Sequence, residues 1–529
     1  LAIALLVVAV VFAAAAVVVP ALVDSMVRDG IRRALVIDSE SAEGYAAWQD
    51  GRDPNAGQVF YDMYTYNVTN AGDVLRGAAP ALQERGPYVY QRIKVKDNVT
   101  FLDNGTRVCY NEWTYYVHQP HMGRDANADN ITTLNMAFQA LAAVTGESAS
   151  WVLPLLYDKW RDEDVLFVTR PSADIFFGYH DPVLDDINKY LPWAHVTNGM
   201  FPGLQPNQTR PAEAAVAGQL CELTGRDDVR RMRTLTRWRN MTSVMCCADG
   251  PCDAKHGWVG PLAWNSTAAS RVIGTPGKQY HPGVAQGDRL AVFVSSIFRS
   301  AHVSCDTPES YKGVSLLKCV IPPQLMLSAR HNPANAAWWS DGPDGLLNVS
   351  SCARHMRVFT SKPHFLDGAA SLRDAVNMTP PVRALHDTFI SVEPTTGTVF
   401  EAAERLQVNF GFGAVRARGR TFGAGVMNGT GDGGWGNKPA YYHPVAWFTE
   451  RGAGSDKQVA RFKNGVLFGL NIIMYARYGG GAAAVVCFIV AAALLVRRRN
   501  EEAAERRARR TGRRSDSRAA AGSSVGGGG

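Results

Sequence analysis

The chain begins with an unbroken apolar run. Residues 1–19 carry no charged or strongly polar side chain, and Pro20, Ala21, Leu22 and Val23 extend the run. About 20 such residues cross the roughly 30 Å of hydrocarbon in a bilayer as a helix. A second apolar run spans 479–496 and stops at Arg497-Arg498-Arg499, with Tyr475 and Tyr478 where an interfacial belt falls. The pattern predicts transmembrane helices at 1–23 and 479–496, an ectodomain at 24–478 between them, and a cytosolic tail at 497–529. A cleaved signal peptide also opens on an apolar stretch, and Ala14-x-Ala16 resembles a cleavage site. The run is longer than a usual signal core, which favours a retained span.

Between these segments, aromatic and β-branched runs recur at 59–68, 88–95, 108–117, 290–298, 314–321, 358–361, 388–392 and 405–412. The last alternates: Leu406, Val408, Phe410 and Phe412 share one face, while Arg405, Gln407 and Asn409 take the other. Period two predicts a half-buried strand. Helical spacing links Leu134, Phe138 and Leu141, then Trp151, Leu155 and Trp160. A short helix with Val27, Ile31 and Leu35 on one face is predicted after the first span. Gly86-Pro87 reads as a turn that launches the Tyr88/Tyr90 strand, and Pro394 with Gly397 flanks a tight connection. The expected class is α+β, a large, mostly antiparallel sheet system with a helical cluster at about 133–163.

Ten Asn-x-Ser/Thr sequons lie between the two apolar segments, at Asn67, Asn98, Asn104, Asn130, Asn207, Asn240, Asn265, Asn348, Asn377 and Asn428. Sequons are modified on the lumenal or extracellular side, so this layout predicts a glycosylated ectodomain with both termini in the cytosol. Charge agrees with that orientation. The formal net charge is +7, and the tail after Val496 holds ten Arg against four acids. A basic stretch beside a membrane stop reads as cytosolic and attracts anionic lipid, not nucleic acid. Past Glu505 its composition predicts disorder.

Nine cysteines are present. Cys487 lies within the second span. Cys109, Cys221, Cys246, Cys247, Cys252, Cys305, Cys319 and Cys352 are disulfide candidates in an oxidising compartment. A turn centred near Lys312 sets Cys305 opposite Cys319 across a hairpin. Cys246-Cys247…Cys252 fits a metal knuckle in spacing, but disulfides are the better reading there.

Catalytic motifs are absent. There is no G-x-S-x-G, H-E-x-x-H or P-loop. Gly429-x-Gly431-x-x-Gly434 matches a dinucleotide pattern but neither follows a strand nor opens a helix, so 411–436 reads as a mobile glycine-rich loop. His118 and His121 have no third ligand nearby in sequence. The chain is read as no enzyme, with no cofactor and no metal site.

Several segments together resemble the class B scavenger receptors, the family of fatty acid translocase and lysosomal integral membrane protein. They are Val19-Pro-Ala-Leu-Val-Asp24, Glu84-Arg-Gly-Pro-Tyr-Val-Tyr90 followed by the Asn98 sequon, Thr133-Leu-Asn-Met136, and Phe177-Gly-Tyr-His-Asp-Pro182. Lys362-Pro-His-Phe-Leu366, Val392-Glu-Pro-Thr-Thr-Gly397 and Arg405-Leu-Gln-Val-Asn409 follow in family order. The resemblance covers 20–496. It implies a β-barrel-like ectodomain with an apolar tunnel and a helical apex. It further implies binding of lipids, lipoproteins, other anionic ligands or a protein partner at the apex, and passage of lipid towards the membrane. Lys159 and Arg161 stand where members carry basic residues that touch anionic ligands. Two departures are visible. Phe298 replaces a frequent Cys, and the cysteine-rich stretch ahead of Cys352 is missing, so Cys352 is expected to pair elsewhere, with the 246–252 cluster. The tail holds no Tyr-based or acidic dileucine signal, which favours the plasma membrane over the alternative, an endolysosomal membrane protein whose apex carries a partner.

Overall fold

The computed structural model describes residues 1–52, 57–75, 78–136, 166–181, 184–185, 188–189, 199–200, 219–247, 250–251, 260–339, 342–353, 357–412, 415–417, 420–422 and 441–522. They fall into two compact units, residues 1–32 with 460–529, and residues 33–459.

The second unit is built on one antiparallel sheet. Its main strands are β1 (Val59–Val68), β2 (Leu82–Leu102), β3 (Arg107–His118), β4 (Gln219–Leu223), β5 (Leu235–Arg237), β6 (Arg289–Val294), β7 (Arg299–Tyr311), β8 (Val314–Val320), β9 (Phe389–Val392), β10 (Val399–Phe412) and β11 (Tyr441–Ala453). Hydrogen bonding runs in the order β6-β7-β8-β9-β10-β11-β1-β2-β3-β4-β5. Val358–Ser361 pairs with β10 and carries Leu347–Asn348 on its far side.

The end strands β5 and β6 do not pair directly. Gly274 and Thr275 bridge them. Leu235 N–H donates to Gly274 O (2.9 Å), Thr275 N–H to Ala291 O (3.2 Å) and Phe293 N–H to Thr275 O (2.9 Å). The sheet is thereby nearly closed into a barrel, which hides backbone groups that an open edge would expose. Gly274 has φ +97°, and a Cβ there would meet the Ala291 carbonyl carbon at 2.6 Å. Only glycine lets the closing segment approach so near.

Each predicted strand is present, and the differences have local causes. Gly86-Pro87 is no turn. It lies inside β2, where pairing to β1 slips between Met63–Tyr88 and Thr65–Arg85. Such a bulge absorbs extra residues without ending the strand. The strand expected to reach 298 stops at Val294 in a 3₁₀ turn, and Phe298 adopts φ +56°. The polar face of 405–412 is not solvated. Gln407 and Asn409 are fully buried. Gln407 Oε1 accepts from Tyr66 Oη (2.9 Å) and from His364 N–H (2.8 Å), which satisfies the amide beneath the 362–386 segment. Leu134 belongs to strand Asn130–Leu134, paired with Phe167–Pro171, and not to a helix. The remainder of the expected apical cluster, 137–163, lies outside the described residues, as does most of the glycine-rich loop. Within that loop Val415–Ala417 and Arg420–Phe422 form a short hairpin.

In the other unit, the N-terminal helix is part of Ala2–Leu35, and a helical run reaches from Asp456 to Gly522. The two segments within it, Ala2–Leu35 and Asp456–Arg513, are long and apolar enough to cross a membrane. They approach closely at glycines. A Cβ at Gly469 would meet Val27 Cγ2 at 2.5 Å, and one at Gly480 would meet Ala16 Cβ at 3.3 Å. The helix continues through Glu505, where the sequence reading has disorder. Arg497 and Arg498 donate to Glu501 and Glu502 one turn on, and the Glu-Ala-Ala-Glu-Arg-Arg composition suits a helix.

Candidate functional site

The strand register sorts side chains to the two faces of the barrel wall. On β2, Tyr88, Tyr90, Arg92, Lys94 and Lys96 share one face. Opposite them stand Met63 and Tyr61 on β1, and Tyr116, Thr114 and Glu112 on β3. The same face continues to Phe448 and Glu450 on β11, then Leu406 and Glu404 on β10. This face is the interior, because groups from distant strands meet across it. Ser296, just after β6, lies 3.0 Å from the Glu404 carboxylate. Lys278, next to the closing segment, interacts with Lys94, Glu112, Lys96 and Arg92.

The interior is layered. One layer is aromatic. Tyr61 stacks on Phe448 (4.9 Å between centroids) and meets Tyr116 edge-on (5.6 Å). The helix Ser172–Phe177 sets Phe176 against Tyr88 (5.9 Å) and Phe177 against Tyr90 (5.4 Å). Such contacts add to area burial in fixing ring positions. The next layer is charged. Arg92 pairs with Glu450. Burial, then Glu450, pushes the neighbouring Glu404 carboxyl up from its usual range.

A third layer holds Lys94, Lys96, Glu112 and Lys278. Lys94 pairs with Glu112. Burial raises the Glu112 carboxyl, but Lys94, Lys96 and Lys278 outweigh it and hold the group down at about 2. Lys96 Nζ donates to Trp48 O (2.6 Å) and lies 4.7 Å from the Trp48 ring centre, a cation–π contact. Glu222 accepts from Trp48 Nε1 (2.9 Å) and from Arg233 (2.9 Å).

Lys278 differs from these cations. Among the described residues it has no ion pair and no hydrogen bond. Burial followed by the Lys94 charge lowers its ammonium to about 7. Yet its side chain keeps an exposed surface. Arg92, Lys94, Lys96 and Lys278 face Glu112, Glu404 and Glu450, four cations against three acids. This imbalance favours anions.

The outer face of the same wall carries a satisfied polar cluster. Glu84 receives hydrogen bonds from Trp447 Nε1 (2.8 Å) and pairs with His364 Nε2 (2.7 Å). Burial raises the Glu84 carboxyl, and His364 and Trp447 more than reverse this, leaving it below the ordinary value. His386 stacks on His364 at 4.2 Å, and burial with the His364 charge lowers it to about 4. Lys362 Nζ lies 2.6 Å from both Asp367 and Asp387. The Glu84–Tyr90, Lys362–Leu366 and Arg405–Asn409 motifs thus meet in one packed network through Glu84, His364 and Gln407. That arrangement is scaffold.

The sequence-selected residues are placed as follows. Lys159, Arg161, Asn207, Asn428 and Cys252 lie outside the described residues, as does the side chain of Cys247. Asn98, Asn104, Asn130, Asn265, Asn348 and Asn377 are exposed, while Asn67 and Asn240 are half-buried. Cys109–Cys221 links β3 to β4, and Cys305–Cys319 spans the β7–β8 hairpin, whose turn holds Lys312 and Gly313 at positive φ. Cys246–Cys352 joins segments 106 residues apart. His118 packs on Tyr90 (5.2 Å). The interior charges escaped the sequence reading. Lys94 and Lys96 alternate along a strand and could have been flagged, but nothing local marks Lys278 as their neighbour.

The sequence profile of the CD36 family matches residues 4–495. Scavenger receptor class B member 1 of Sus scrofa is 25% identical over 458 residues, covering 86% of this chain and 82% of its own. Lysosome membrane protein 2 of Homo sapiens is 26% identical over 381 residues, covering 71% of this chain and 72% of its own.

Proposed function

Because the chain belongs to the CD36 family, we propose that it is a two-span membrane glycoprotein receptor that takes lipid into its barrel and passes it to the bilayer. The observation that carries this reading is the interior itself. An aromatic layer, Tyr61 stacked on Phe448, shares one face of the barrel wall with the Arg92 and Lys94 ion pairs, which supports an amphipathic ligand along it. Such a passage moves an apolar ligand out of water at about 25 cal/mol per Å² buried, with no energy source. A receptor role accords with the name of the scavenger receptor relative. No catalytic motif competes with it. The basic pair Lys159 and Arg161 is a candidate contact for anionic ligands at the apex, and the ten sequons are candidate glycan sites.

The name of the second relative favours a variant of this reading, residence in a lysosomal membrane; that variant would carry a protein partner at the apex. Imaging of the full-length chain against plasma-membrane and lysosomal markers separates the two.

The passage is tested by narrowing it. Ala402 and Gly452 are opposite each other on the interior face, two residues from Glu404 and Glu450. Ala402→Trp should stop transfer of a fluorescent cholesteryl ester from donor particles to the membrane while surface binding of the particles persists. Undiminished transfer through the narrowed variant would rule out the barrel as the route.

A further inference from the structure

Resting on the two-span reading, we propose that a stripe of Arg506, Arg509, Arg510 and Arg513, on the cytosolic extension of the second membrane helix, docks an acidic helical segment of another protein. The helix Gly480–Gly522 does not end at the membrane stop. Its first charged turn is neutralised within itself. Arg497 donates to Glu501 (2.9 Å) and Arg498 to Glu502 (3.2 Å), each one turn on. Beyond Glu505 the pattern changes. Arg506, Arg509, Arg510 and Arg513 follow at i, i+3, i+4 and i+7, so they share one helix face. No acid lies between Arg506 and Arg513. All four arginines are exposed, and among the described residues their guanidinium groups have no ion pair and no hydrogen bond.

The bilayer does not fit this stripe. Arg506 and Arg513 are ten and seventeen residues past Val496, the last apolar residue of the span, so along the axis they stand about 15 and 26 Å beyond it. Lipid charge is screened over about 8 Å at physiological salt. A helix lying flat on lipid would also need an apolar face to insert. The face opposite the stripe offers Glu501, Ala504, Ala508 and Thr511, which are small, polar or charged, and all exposed. A nucleic acid fits no better, because the tail after Val496 has no aromatic side chain on which a base could stack. An acidic helix does fit. The stripe spans about 10 Å of axis. Carboxylates at the same i, i+3, i+4 and i+7 spacing would meet all four guanidinium groups at once, and each guanidinium can hold one bidentately. Exposed pairs of this kind are individually weak and screened by salt, so the contact is transient and needs the whole stripe.

The experiment uses the full-length chain in phosphatidylcholine nanodiscs, where both membrane faces are open to a probe. The probe is a fluorescein-labelled, alanine-based helical peptide with four glutamates at i, i+3, i+4 and i+7. It should bind at about 20 mM salt and slow trypsin cleavage at Arg506, Arg509, Arg510 and Arg513, and its affinity should fall about tenfold at 150 mM salt. Glutamine at all four positions should weaken binding about tenfold or more, while glutamine at Arg497, Arg498 and Arg499 should leave it unchanged. Glutamate at the four positions should abolish it and admit a peptide with four lysines instead. Equal binding of a peptide whose glutamates are spread around its helix would show diffuse attraction and overturn the docking face. Protection of the same four arginines by phosphatidylserine in the nanodisc, without peptide, would put the stripe on lipid. Polyuridylate bound more tightly than the peptide, and lost in the glutamine variant, would make the stripe a nucleic-acid site. Either result overturns the protein partner. No binding to the wild type at low salt would refute the docking surface alone. A tag after Gly529 stained on intact cells would instead refute the two-span reading.

Discussion

Two histidines hidden in the barrel unit make its stability depend on pH. His443 is fully buried, and burial lowers it to about 3. His386 is buried beside His364, and burial with that neighbour lowers it to about 4. An unfolded histidine titrates near 6.5. Between that value and the depressed ones, the unfolded chain binds more protons than the folded chain. Stability is therefore complete above about 6.5 and declines as the pH falls towards 4. Linkage puts the loss at about 2 kcal/mol for each group by pH 5. Glu84, lowered overall, adds a further loss only below the ordinary glutamate range. Glu404, raised, works the other way and is stabilising at low pH. We expect the wild type to melt at a lower temperature at pH 5 than at pH 7.5, and His443→Leu to show a shallower dependence. Parallel profiles for the two proteins would refute the role of His443. None of this was legible in the sequence. A histidine two residues before Val445 in an aromatic run carries no mark of full burial until β11 is seated between β10 and β1.

At the level of elements, alternation made the strands readable, because each wall of a barrel has one inner and one outer face. It failed where both faces are buried. Gln407 and Asn409 keep the polar half of the pattern but are paired with Tyr66, His364 and Ser361 instead of water. Gly86-Pro87 misled for the opposite reason. Its turn chemistry is real, but a bulge consumes it within β2. The seam between β5 and β6 was invisible, since it rests on backbone contacts of Gly274 with strands distant in sequence. Gly274→Ala must therefore be costly. Its φ of +97° is strained for any side chain, and the new methyl group would strike Ala291. We expect a loss of about 2 kcal/mol or more and faster protease cleavage near the seam; wild-type melting in that variant would show the seam to be dispensable. The disulfides follow chain-entropy arithmetic. Replacing Cys305 and Cys319, 14 apart, by alanine should cost about 3 kcal/mol, and replacing Cys109 and Cys221, 112 apart, closer to 5. Denaturant melts of the two double variants test the order, which fails if the hairpin pair costs more.

For the whole molecule, the decisive question is which side of the membrane each end occupies. The two apolar helices bracket the barrel unit in the sequence, and every described sequon lies within that unit. Glycosylation happens only where the barrel has crossed to the lumen. If both helices are retained spans, the two termini share the cytosolic side, and the ten arginines after Val496 stay with them by the positive-inside rule. The close fit of Gly480 near Ala16 argues for retention, because small residues let membrane helices pack closely and a cleaved leader would leave this glycine without a partner. A tag placed after Gly529 should then be stained only in permeabilised cells, while N-glycosidase should lower the apparent mass in steps, one for each occupied site. Gly469→Leu should separate the helices and reduce the yield of correctly glycosylated protein without touching the barrel. Staining of the tag on intact cells, or a mass that N-glycosidase leaves unchanged, would contradict the two-span arrangement. A mature N-terminus beyond Val23 would contradict it from the other end, since Gly480 would then face lipid and not Ala16.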